Sequence, residues 1–141
     1  MQRLDVLVGR WQVAMHGAWF LPNPDIEDAG MAVVEWWSDA FVTFRWRPDD
    51  GPDSSDMQMV FGHSSATDRY HALYHDERGM DRLFAMTFDG ATWTLLREDD
   101  DFYQRWTAEV SADRISGLWQ ASDDRGETWR TDYELILERR A

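Results

Sequence analysis

Residues 80–97 read MDRLFAMTFDGATWTLLR, two runs of alternating apolar and polar side chains on either side of an Asp-Gly pair. A period of two sends successive side chains to opposite faces of a strand. Asp89-Gly90 between such runs signals a tight hairpin, because the favoured two-residue turns need a positive φ that glycine adopts without steric cost. Pairing Phe88 with Ala91 across that turn sets Met86 opposite Trp93, Phe84 opposite Leu95 and Arg82 opposite Arg97.

The same sorting extends in both directions along the chain. Across residues 76–79 (DERG), pairing His75 with Met80 puts Leu73 opposite Arg82 and His71 opposite Phe84. One hairpin earlier, Phe61 faces His71 and Met59 faces Leu73; one hairpin later, Arg97 faces Phe102, Leu95 faces Gln104, and Trp93 faces Trp106, which faces Trp119. One face then holds Met57, Met59, Phe61, His71, Leu73, Phe84, Met86, Phe88, Trp93, Leu95, Phe102, Trp106, Ile115 and Trp119, and the other holds Gln58, Thr92, Thr94, Tyr103, Arg105, Thr107, Glu109, Ser116 and Gln120. Independent hairpins agree on which face is apolar.

Strands are expected at residues 10–19, 31–37, 41–47, 57–63, 69–75, 80–88, 92–97, 102–110, 115–121 and 129–138, after a short helix at 2–8 that Gly9 stops. Trp11, Val13 and Met15 point inward on the first of these, Val34, Trp36, Phe44 and Trp46 on the next hairpin, and Trp129, Tyr133, Leu135 and Leu137 on the last. The loops at 21–30 (LPNPDIEDAG) and 48–56 (PDDGPDSSD) are short enough to lie within one domain. Consecutive strands with short connections form a meander, and closing a meander removes its edges. The expectation is a single all-β domain over residues 1–141, an antiparallel up-and-down β-barrel of about ten strands with a short N-terminal helix.

Composition narrows the function. The chain has 27 acidic and 14 basic residues, all arginine, for a formal net charge of −13. That charge repels nucleic acid and anionic membrane surfaces, so neither is an expected partner. Cysteine is absent, which removes disulfides, thiolate metal sites and cysteine nucleophiles. Residues 1–9 carry no signal-peptide pattern and no apolar run has bilayer-spanning length, so a cytoplasmic location is the default expectation. Aromatic residues make up 14% of the chain, including nine tryptophans, and bulky rings both suit sheets and line ligand cavities.

Gly9-Arg10-Trp11 after a short helix resembles the Gly-x-Trp start of the calycin superfamily, which includes lipocalins, fatty-acid-binding proteins and nitrobindins. The segments ATDRY (66–70), TWTLLRE (92–98) and GLWQAS (117–122) are similar to uncharacterised bacterial lipocalin-like domains. The resemblance implies a barrel that binds small molecules inside, without naming a ligand. Haem binding of the nitrobindin type needs an axial histidine near the C-terminus, whereas all four histidines here fall at or before residue 75, so no cofactor is expected.

Polar residues on an inward face carry the functional information, because a barrel core should be apolar. The face sorted above includes His63, Arg69, His71, His75, Arg82, Arg97, Gln104 and Tyr133. Arg82 and Arg97 side by side repel each other unless an anion or carboxylate stands between them. Arginines and a tyrosine inside the barrel hold the ligand carboxylate in fatty-acid-binding proteins, and the resemblance implies such a role for Arg82, Arg97 and Tyr133. The alternative places both arginines at the barrel mouth, paired with acids from 98–101 or Glu77.

His71 and His75 share a face but stand about 13 Å apart, too far to hold one metal ion. His63 near His71 lacks a third ligand, so no metal site is expected. Trp93, Trp106 and Trp119 form an expected ladder, read either as cross-strand packing or as an aromatic wall for a ligand.

No nucleophile elbow, phosphate loop or calcium-loop spacing occurs, and no catalytic residue is assigned. The leading expectation is a binding or carrier protein for a small hydrophobic or carboxylate ligand, held by Arg82, Arg97, Tyr133, His71, His63, Gln104, Trp93, Trp106 and Trp119. An enzyme with His71 or His63 as acid/base, and a homodimerising module using Trp37, Phe41 and Leu118, are the alternatives.

Overall fold

Gly9 begins the barrel with a φ of +145°, and a Cβ there would lie 2.2 Å from Nη1 of Arg139. The position therefore requires glycine for both backbone and space. The computed structural model describes residues 2–47 and 56–141. Ten strands follow in order: β1 (Gly9–His16), β2 (Met31–Trp37), β3 (Phe41–Arg47), β4 (Met57–Ser64), β5 (Arg69–Asp76), β6 (Asp81–Phe88), β7 (Thr92–Glu98), β8 (Tyr103–Val110), β9 (Arg114–Ser122) and β10 (Arg130–Arg140). Each pairs antiparallel with its sequence neighbours, and β1 closes the ring onto β10. The expected meander and its closure are both observed. The expected 48–56 loop lies, apart from Asp56, outside the described residues.

The expected N-terminal helix is a 3-10 segment, Gln2–Leu7. Its Leu4 and Leu7 are buried and stopper the lower end of the barrel. Leu7 also accepts a hydrogen bond from the indole of Trp11 at 2.9 Å. Six residues give too few i→i−4 bonds for α-helical cooperativity, so the segment is held by the packing of its leucines.

Above this stopper the interior is aromatic. Rings make edge or tilted contacts from Phe44 to Trp93, Trp93 to Trp106, Trp106 to Trp119, and Trp119 to Phe84, with centroids 5.3–6.1 Å apart. Trp106 lies against the backbone of β9 because residue 117 is glycine; a Cβ there would meet the Trp106 ring at 2.1 Å.

Four registers differ from the sequence reading; the two flanking β5 shift together, so that on the β4 side Phe61 pairs with Ala72 and Met59 with Tyr74. The turn after β6 is centred on Gly90-Ala91, with the Asp89 amide donating to the Thr92 carbonyl and Phe88 paired with Trp93. Gly90 has a φ of +100°, the first-position glycine of a type II′ turn. Asp89 instead accepts the Ala91 and Thr92 amides. Beyond the next turn, Leu95 pairs with Trp106 and Arg97 with Gln104. Both of these shifts are by two residues, so the inward faces survive.

The third shift is by one. His75 pairs with Asp81 and Tyr74 with Arg82, which turns β5 over. Tyr70, Ala72 and Tyr74 face inward, while His71, Leu73 and His75 face out; Leu73 is 44% exposed. Asp76 sets this register by staying in the strand and accepting the Arg78 amide at 3.0 Å, an Asx turn that begins one residue later than expected.

Candidate functional site

The barrel end opposite the 3-10 stopper is polar inside. It gathers the last inward residues of β5, β7 and β9 and the first of β6, β8 and β10. Tyr74 and Arg82 are direct cross-strand partners, as are Arg97 and Gln104. Tyr133 stands beside Trp119 on β10. Residues 17–30 run past this end, tied to β1 by Met15–Ile26 backbone bonds, and bring Phe20 to 5.7 Å from the Tyr133 ring.

Arg97 is spoken for. Its guanidinium donates to the Phe102 carbonyl at 3.0 Å, and pairs with Asp101 at 3.0 Å and Asp99 at 3.3 Å. This is the mouth-pairing alternative, realised for one arginine of the two. The side chain is buried, and its Nε has no partner.

Arg78 is neutralised as well. Its Nη2 and Nε both donate to Oδ2 of Asp76, at 2.7 and 3.2 Å, and the Tyr74 hydroxyl donates to the same oxygen at 2.8 Å. The Arg78 hydrogen bonds hold the Asp76 carboxyl down at about 2, and burial pushes the Tyr74 hydroxyl up to about 12.

Arg82 differs from both. It donates to Oε1 of Gln104 at 3.1 Å and lies 3.7 Å from the Met80 sulfur, and among the described residues no carboxylate comes within ion-pair distance. The ring of Phe102 stands between the two guanidinium groups, 5.2 Å from that of Arg82 and 5.0 Å from that of Arg97. Its π face attracts both cations and separates them. The expected Arg82–Arg97 juxtaposition is therefore replaced by an Arg-Phe-Arg layer.

Tyr133 completes the group. Burial raises its hydroxyl well above the normal tyrosine range, Tyr74 and Asp132 add to the rise, and Arg82 and Arg78 oppose it. The phenol therefore stays neutral and remains a hydrogen-bond donor beside Arg82.

The structure brings together Arg82, Gln104, Tyr133 and Arg97, with Trp119 and Trp106 leading down from them. Trp93 lies deeper, its ring touching Trp106 at 5.5 Å. The indole nitrogens of Trp93 and Trp106 are buried without a partner.

His71 does not belong to the site, because the β5 register turns it outward. His63 lies at the other end, where it contacts Asp68 at 3.0 Å and Tyr70 at 5.1 Å between ring centroids. Neither histidine stands beside Arg82, so the structure does not bring together the histidine and arginine of the expected acid/base arrangement. Arg69 and His75 are exposed outside the core. Trp129, expected inside, lies on the outer face against Arg105. Among the described residues no cluster of three or more His, Asp or Glu side chains is arranged to hold a metal. Tyr74, Asp76 and Arg78 were absent from the sequence reading of the site, because the one-residue slip hid Tyr74 on the outer face. The contrast between Tyr-x-Ala-x-Tyr and His-x-Leu-x-His on the two faces of β5 is the signal that favours the observed side.

No protein-family model matches the chain, and no curated protein matches it. Among solved structures, that of Rv2717c from M. tuberculosis is similar, with a TM-score of 0.66 at 12% identity, covering 99% of this chain and 96% of that chain. The likeness extends over essentially the whole of both chains and shows a shared barrel fold. Among the described residues no helix is long and apolar enough to cross a membrane.

Proposed function

We propose that this protein is a calycin-like binding or carrier protein for a small molecule with an apolar body and an anionic head. The head sits against Arg82, with Gln104 and the neutral Tyr133 hydroxyl as further donors, and the body lies against Trp119, Trp106 and Phe84. One observation carries the reading. In a chain of net charge −13, with acids matched to Arg78 and Arg97 on either side, the half-buried guanidinium of Arg82 has no carboxylate of its own among the described residues. A buried cation without a counter-ion is costly, and a ligand anion in that place removes the cost. The guanidinium fork suits a carboxylate, and the rings below supply apolar burial for the remainder.

The test is native mass spectrometry of freshly purified protein, followed by calorimetric titration with decanoate. A bound organic acid, or saturable decanoate binding that weakens at least tenfold in Arg82→Met, supports the proposal. A clean unliganded mass together with no decanoate binding overturns it.

A further inference from the structure

A second site lies on the outer face of the barrel, at the same end as the polar mouth but on the other side of the sheet. The outer faces of β7 and β8 and the turn between β9 and β10 enclose an open groove of about 460 Å³. Its floor is Leu96 with Thr94 and Thr107, one wall is Tyr103 and Arg105, and the other is Arg125, Gly126 and Trp129, with Glu98 at its rim. Grooves of roughly this volume hold ligands of metabolite size.

The turn that forms the wall is well braced. Asp124 accepts from the Ser122 hydroxyl at 2.7 Å and the Thr128 amide at 2.8 Å, and Ser122 accepts from the Gly126 amide at 2.9 Å. The Trp129 indole donates to the Gly126 carbonyl at 3.1 Å, which fixes its ring. Tyr103 and Trp129 each approach the Gly126 position to 3.6 Å.

The guanidinium of Arg105 lies flat over the Trp129 ring at 4.0 Å, and its Nε donates to Gln120 at 2.7 Å. Its two terminal nitrogens make no hydrogen bond, and neither Arg105 nor Arg125 forms an ion pair with any described residue, Glu98 included. Two cations without an ion-pair partner among the described residues, one held against a tryptophan, thus line the same groove, whose mixed floor of Leu96 and two threonines lies beside Tyr103 and Trp129.

We propose that this groove binds a small planar organic anion, an aromatic carboxylate, with its carboxylate on Arg105 and Arg125 and its ring on Leu96 between Tyr103 and Trp129. Arg105 presents a fork whose orientation is already fixed, so a planar carboxylate costs it little further ordering. The ring supplies the contact area that an inorganic anion lacks.

The experiment is two-dimensional NMR of the 15N-labelled protein, titrated separately with indole-3-acetate, 2-naphthoate and inorganic phosphate. The expected result is saturable movement of the Trp129 indole, Arg105 Nε–H and Gly126 amide signals with at least one aromatic carboxylate. Arg125→Gln, an exposed substitution outside the core, should weaken that binding about tenfold, whereas Arg82→Met should leave it unchanged. No movement of these signals, movement confined to the barrel mouth, or equal movement with phosphate would overturn the proposal. Failure of the Arg82 site leaves these readouts unaffected, so the two proposals stand or fall separately.

Discussion

The guanidinium of Arg139 lies 4.2 Å over the Trp11 ring and donates to the carbonyls of Val6 and Val8 at 2.7 Å each. One side chain from the last strand therefore ties the first strand to the N-terminal stopper and occupies the space where residue 9 would carry a Cβ. Gly9→Ala must displace Arg139 while adopting a φ that L-residues disfavour. We expect a loss of about 2–4 kcal/mol, combining backbone strain with overpacking, measured by urea unfolding. Stability within a few tenths of wild type would show that Arg139 moves aside freely.

Gly117 makes room for Trp106 on the adjacent strand. Gly117→Ala should cost about 1–3 kcal/mol through overpacking. Because the clash falls on the outer atoms of the indole, the double variant Gly117→Ala with Trp106→Phe should be less destabilised than the sum of the two single changes. Additive losses in thermal unfolding would place the damage elsewhere than at this contact.

The barrel was legible because alternation survives errors of two residues. Mispairing Phe88 with Ala91, and Arg97 with Phe102, left Phe84, Met86, Trp93 and Leu95 on the correct face. The site was less legible, because a slip of one residue inverts a face. In β5 both faces carry rings, and the decisive information is the Asp76 side chain accepting the Arg78 amide, a local bond that alternation does not reveal. Arg82, Gln104 and Tyr133 were found because an inward polar residue stands out in any register that keeps the parity. The partners that neutralise Arg97, Asp99 and Asp101 in the following loop, lie outside the period-two pattern. The sequence reading offers the acids of 98–101 as partners for both arginines; that they take Arg97 and not Arg82 emerges only from the path of that loop.

Asp76 makes stability depend on acid. Its carboxyl is held near 2 by the hydrogen bonds from Arg78, below the ordinary aspartate value of about 3.9. A depressed folded-state pKa gives stability that is fully present above the unfolded value and lost as pH falls through the folded one. The side chain is wholly buried, so the linked loss between about pH 4 and pH 2 is on the order of 2 kcal/mol. Asp76→Asn should flatten that part of the stability–pH curve; an unchanged slope would mean that other carboxylates set it.

The alkaline limb has the opposite origin. Tyr74 is raised to about 12 and Tyr133 higher, so both stay protonated in the barrel after the unfolded chain has begun to lose its tyrosine protons near pH 10. Stability should then fall as pH rises above about 10. In a spectrophotometric titration at 295 nm these two phenols should ionise together with unfolding, and Tyr133→Phe should reduce the amplitude of that late step. Ionisation of all four tyrosines before any change in circular dichroism would contradict the burial described for these two.

Arg82 and Arg97 share the Phe102 ring, yet their substitutions should act on different quantities. Arg97 anchors residues 99–102 through two carboxylates and a carbonyl, so Arg97→Met leaves Asp99 and Asp101 without their cation and the loop without its tie. We expect a stability loss of about 1–3 kcal/mol, the range for hydrogen bonds to a charged group, with little change in decanoate affinity. Arg82 has Gln104, a sulfur and the face of Phe102 to lose but no ion pair, and burial of its charge is itself unfavourable, so Arg82→Met should leave stability unchanged or raise it. Affinity for an anionic ligand should fall at least tenfold in the same variant. A destabilised Arg82→Met with intact decanoate binding would reverse the assignment, making Arg82 the structural arginine and moving the ligand's anionic head to Arg97, whose Nε is buried without a partner.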